Sequence, residues 1–141
     1  MKGKKVFLFS LAVFVLFAFL VSPSFCADIE ALVNLFFSNP SAATDQLLEL
    51  LDKDPDAFVL VLAQVAERIA KLPPDDPKRV SLEERIETLC IALIDIKPDV
   101  VAKVVVTITE RAPEIGEKIE QVAVAWGLEE SYLKAASPVR P

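Results

Sequence analysis

The 141-residue chain contains no histidine. Without imidazole every triad built on it is excluded, and the commonest general base and the commonest metal ligand are both missing. Glycine is nearly as scarce: only Gly116 and Gly127 follow the opening segment, so there is no glycine-rich loop to wrap a phosphate. Cysteine is limited to Cys26 and Cys90. If Cys26 leaves with an export signal, Cys90 has no partner in its own chain, and the fold must rest on an apolar core rather than a disulfide. Cys90 sits between Ile86 and Leu93 on the flank of an apolar stripe, which favours a small buried hydrophobe over a reactive thiol. An exposed Cys90 would instead raise the question of pairing between chains.

Acidic residues are absent before Asp28. Lys2, Lys4 and Lys5 open the chain, and Val6 to Val21 follow as sixteen residues broken only by Ser10. Ser22-Pro23-Ser24 then reads as a helix break ahead of small residues, the layout of a secretory signal peptide over residues 1–26. Ser24 and Cys26 place small side chains where a peptidase reads them, so a cut after Cys26 is preferred to one after Ala27, which would use bulky Phe25. Two alternatives stand beside cleavage. As a helix, sixteen residues span roughly 24 Å, short of a bilayer core of about 30 Å, so retention as an anchor is the weaker reading. Lipidation at Cys26 is opposed by Phe25 and Pro23, which do not fit a lipobox. In each case the basic end stays cytoplasmic and the remainder crosses.

Positive charge is short beyond that opening segment. Without the three early lysines the cations fall from 15 to 12 against 21 acids, a net charge of −9. That balance opposes nucleic acid and anionic lipid heads, which need a cationic stripe. The 115 residues from Ala27 onward suffice for one domain with one core.

Proline, in contrast, is plentiful and regularly placed. Asn39-Pro40-Ser41, Asp54-Pro55-Asp56, Lys97-Pro98-Asp99 and Ala112-Pro113-Glu114 each put proline at a first helical position, with an acid or small residue after it. Between these starts apolar residues recur at three and four, as in Ile29, Leu32, Val33, Phe36 and Phe37. The segment from Pro55 to Leu72 is apolar nearly all round at first, which marks a central helix. Leu72 to Arg79 reads as an exposed, semi-rigid connector, and Ser81-Leu82-Glu83-Glu84 as a capping box opening the fourth helix. Leu82, Ile86, Leu89, Leu93 and Ile96 then make one face.

Val100 to Thr109 is dense in β-branched residues that favour strands, yet its Lys-Pro-Asp start matches the helices and a lone strand would have no partner. A sixth helix runs from Pro113 to Trp126, stopped by Gly127, and a seventh from Glu129 to Ala135. Pro40 and Pro55 are 15 residues apart, as are Pro98 and Pro113, at an offset of 58. This hints at two similar three-helix halves and no more, because any helix start attracts proline and acids.

The motifs that could carry chemistry have plainer readings. Asp52, Asp54 and Asp56 have the spacing of a calcium loop, but Ala57 and Ala63 replace its glycine and closing glutamate. Asp75-Asp76 is a solvating pair. Glu83, Glu84 and Glu87 suit the positive end of a helix better than a carboxylate dyad. Phe36, Phe37, Phe58 and Trp126 fall on apolar faces and belong to the core, unless they line a cavity or groove.

The expectation is an all-α protein: a small bundle of six or seven short antiparallel helices over 27–136, with 137–141 as a flexible tail. Its function is expected to be that of an exported, periplasmic or extracellular, non-catalytic interaction or scaffold protein. The alternative is a carrier of an apolar small molecule or lipid, the third helix lining its cavity. No catalytic, cofactor-binding or metal residue is assigned. The partner is a protein or an apolar ligand, self-association stays open, and contact with a membrane is expected only through an uncleaved export segment.

Overall fold

Proline sets the starts of five helices in the computed structural model, which describes residues 22–137. Helix α1 (Ser22–Ser38) comes first, then α2 (Pro40–Lys53), α3 (Pro55–Ala70), α4 (Pro77–Leu93), α5 (Pro98–Arg111), α6 (Pro113–Ala125) and α7 (Glu130–Ala136). Among the described residues there is no strand, and the expected helical bundle is what forms.

The turns are tight because a residue before proline is driven out of the helical region. Asn39, Asp54, Lys97 and Ala112 have φ of −148°, −153°, −139° and −142°, with ψ between 65° and 87°. Each amide still donates back to the preceding helix, Asp54 to the Leu50 carbonyl at 2.7 Å and Ala112 to that of Ile108 at 2.6 Å. One residue thus closes one helix and opens the next. Asn39 and Asp54 also accept from the amides of Ala42 and Ala57, whereas Lys97 and Ala112 provide no side-chain cap.

Helix α3 packs against α1, α2, α4, α5 and α6 and buries nine of its residues, which is why its sequence is apolar on nearly every side. The β-branched segment is helix α5. Val100, Val101, Val104, Val105 and Ile108 are buried there, and burial on several sides outweighs the modest cost of β-branching in a helix. Gly116 lets α6 come close to α5: a Cβ at this position would lie 2.5 Å from the Thr109 Cα. Gly127 ends α6 with φ of 115°, a conformation that favours glycine.

Four expectations need correction. Helix α4 begins at Pro77, not Ser81, with Asp76 as its N-cap accepting from the Lys78 amide at 2.9 Å. Ser81 is therefore a full turn inside the helix, there is no capping box, and the connector shrinks to residues 71–76. Ser22-Pro23-Ser24 is helical rather than a break. Ile96 lies beyond the end of α4, so helical periodicity no longer places it, and it is 71% exposed. Trp126 is 65% exposed, outside the core, because it caps α6 instead of continuing its buried face. The expected signal peptide lies outside the described residues up to position 21, and of the expected tail only Ser137 is described.

The hinted halves share a plan. Asn34 of α1 bonds Arg68 of α3 at 2.6 Å, while Arg79 and Glu83 of α4 reach Glu114 and Lys118 of α6. In both triplets the first and third helices run parallel in contact, with the middle one antiparallel. The halves are nevertheless not placed symmetrically: α3 against α5 is the most extensive contact, and its counterpart pair, α2 with α6, has no comparable one.

Candidate functional site

Among the described residues, a buried ionic cluster and an open groove are the two candidates. The first lies where α3 ends and α4 and α6 begin. Arg79, 4% exposed, donates through Nε to Glu83 Oε2 at 2.9 Å and through Nη2 to Glu114 Oε2 at 3.3 Å. Its Nη1 donates to the carbonyls of Leu72 at 2.7 Å and Ala70 at 3.5 Å, which the end of α3 leaves unsatisfied. Glu83 is equally buried, and its Oε1 accepts from Lys118 Nζ at 3.1 Å. The Glu83 hydrogen bond, followed by the attraction of Glu83 and Glu114, holds the Arg79 guanidinium more firmly protonated than usual despite burial. Glu87, one turn on, is pushed up from the ordinary carboxylate range by burial and by the charges of Glu83 and Glu84, against the pull of Lys118.

This arrangement holds three helices together. Glu83 commits both oxygens to cations and turns no face to a substrate, so the cluster lacks the paired free carboxylates that acid/base work requires. Among the described residues no buried side-chain nitrogen or oxygen lacks a hydrogen-bond partner.

The second place is a groove between α1 and α2 with a volume of about 760 Å³. Ile29, Leu32, Leu35 and Leu50 form its floor, and Asp28, Gln46, Glu49 and Lys53 its rim. The short Asn39 turn makes α1 and α2 antiparallel neighbours, and among the described residues no third helix lines the groove along their shared edge. The volume falls within the range of about 300–1,000 Å³ common for ligand sites. None of its lining comes from α3, whose Val61, Leu62, Ala63, Val65 and Ala66 are fully buried.

The remaining candidates are dispersed. Asp54 is a helix cap, Asp52 and Asp56 are exposed on either side of it, and Asp76 caps α4. Among the described residues no three histidine, cysteine, aspartate or glutamate side chains converge to hold a metal ion. Cys90 is buried, and burial, then the charge of Glu87, pushes its thiol up to about 12, far from a reactive thiolate. Phe36 and Phe58 are core residues, and Phe37 is half-buried with Arg68 and Lys78 about its ring at 6.0 and 5.9 Å. Arg79 is hidden in the sequence because it falls in a stretch that reads as exposed connector. Its spacing of four from Glu83 is the available signal.

No family model matches the chain, and no curated protein or solved structure matches it either.

Proposed function

We propose that this is an exported, non-catalytic interaction protein that binds an amphipathic helical segment of a partner in the groove between α1 and α2. The supporting observation is the groove itself: an apolar floor with a polar rim, open along the edge of two neighbouring helices. From Asp28 to Leu35 it covers about two turns, some 10 Å, enough for apolar anchors at three- and four-residue spacing. Asp28 and Glu49 on the rim suit a basic residue beside those anchors, and the acidic balance of the chain points the same way. The ionic cluster supports the scaffold half of this reading, since its groups are engaged with one another and with backbone.

A photo-crosslinking amino acid at Gln46, on the rim, should trap a partner protein in the producing cells, and one at Thr88, exposed on α4, should not. Leu50→Glu should abolish the Gln46 product. Equal products at both positions, or none, would defeat the proposal. The carrier reading would place its ligand in the same groove. It would be favoured by a small apolar ligand in native mass spectra that disappears in Leu50→Glu while no protein is trapped.

A further inference from the structure

Side-chain hydrogen bonds and ion pairs orient five of the described helices, α1, α3, α4, α5 and α6. Arg68 with Asn34, and Arg111 with Glu67, bring the last turns of α1, α3 and α5 together. Arg79 joins the end of α3 to the starts of α4 and α6. One end of the molecule therefore holds the last turns of α1, α3 and α5 with the first turns of α4 and α6. The opposite end holds the starts of α1, α3 and α5 and the last turns of α4 and α6.

That opposite end carries Ile96, after α4, and Trp126, after α6. At 71% and 65% they are the two most exposed large apolar side chains described. The pairs Arg79 with Glu114 and Glu83 with Lys118 are both 35 residues apart, so α4 and α6 run parallel in register and Trp126 lies level with Ile91. Ile96 follows in the turn after the end of α4 at Leu93. The start of α1 is also here, which is where the apolar run Val6 to Val21 joins the folded part at Ser22.

We propose that the export segment stays in the bilayer and that this end of the bundle faces it, with Ile96 and Trp126 seated among the lipid headgroups. Three observations combine. Two bulky apolar side chains are left in water at one end, one of them the indole that favours a membrane–water boundary. The sixteen-residue apolar run enters the fold at that same end. The neighbouring charges, Lys53 and Lys97 against Asp54, Asp56, Asp95 and Asp99, leave an acidic excess, which selects a zwitterionic surface over an anionic one. Cleavage and release would leave the exposed pair in water, whereas retention of the segment puts a bilayer beside it, and the mass of the membrane-bound chain separates retention from lipidation at Cys26. The proposal does not depend on the α1–α2 groove.

Trp126 is the only tryptophan, so its fluorescence reports this end alone. The full chain should first be recovered from the membranes of producing cells with a mass that includes Met1. It is then placed in phosphatidylcholine vesicles whose acyl chains are brominated near the headgroup. Trp126 emission should fall at least twofold, whereas the double variant W126L/K71W, with its indole at the other end, should lose little. Ile96→Asp, a change at an exposed position, should reduce the quenching of Trp126. Release of a shortened chain from the membrane, equal quenching at both positions, or no quenching at Trp126 would each overturn the proposal. A Trp126 emission shift that follows protein concentration without lipid would overturn it in favour of a second copy of the chain.

Discussion

At the scale of single residues, Arg79 and Glu83 show how a buried charge can be structural. Burying an ion pair is costly, and an apolar pair of similar volume is often as stable or more so. Here the comparison is tilted, because Arg79 also satisfies the carbonyls of Ala70 and Leu72. Glu83→Leu should therefore cost about 3–5 kcal/mol in urea unfolding by removing the buried partner of Arg79 and leaving it only the exposed Glu114 and two carbonyls. The double variant R79M/E83L should recover part of that and keep a deficit of about 1–3 kcal/mol from the stranded carbonyls. Full recovery would mean that those backbone bonds contribute nothing. Glu87 gives a prediction with a pH sign. Its carboxyl holds a proton more tightly in the fold than the ordinary value of 4.5, so the folded state binds more protons than the unfolded one between those two values. Its contribution to stability is then present below 4.5 and lost as pH rises through the raised value. Glu87→Gln should be more stable than the parent near neutral pH and equal to it in acid. A difference that does not change with pH would show that packing, not titration, is responsible.

At the scale of elements, the starts were legible and the exceptions are informative. Proline followed by an acid marked α3, α5 and α6 to the residue, because proline excludes the helical conformation just before it and an acid suits the helix start. The capping box at Ser81 failed for a local reason: Asp76-Pro77 is a better start, and it brings Arg79 onto the buried side one turn after the cap. Ile96 and Trp126 were misplaced because periodicity holds only while the helix lasts, and both stand just beyond an end. The groove had no sequence signature, since the edge shared by α1 and α2 opens or closes according to where the other helices go. The caps supply a test by transplantation. Lys97 occupies the position equivalent to Asn39, with nearly the same dihedral angles but no side-chain cap. Lys97→Asn should stabilise the protein by about 0.5–1 kcal/mol, read as a higher urea midpoint at unchanged slope. An unchanged midpoint would indicate that the Lys97 side chain already offsets a missing cap by its own packing.

At the scale of the whole molecule, the question is whether the two triplets are separate units that happen to touch. Their internal plans agree, with matching corners and parallel outer helices, yet the most extensive contact joins α3 of the first to α5 of the second. Helix α3 is buried on nearly all sides only because the second triplet covers what the first leaves open, and the Arg79 cluster ties α3 to α4 and α6 across the same boundary. Separating the triplets would expose the apolar side chains through which α3 and α5 meet, at roughly 1.5–3 kcal/mol for each large one returned to water. A domain of this size has a net stability of only about 5–15 kcal/mol, so a few such exposures are enough to unfold either piece. Fragments 22–76 and 77–137, expressed separately, should each lack a cooperative thermal transition, and mixing them should restore one. The intact chain should lose the near-ultraviolet signal of Trp126 and the helical signal together. If either fragment melts cooperatively alone, or if the two signals part in the intact chain, the core is two cores, and the tie through α3, α5 and Arg79 is an interface between finished domains.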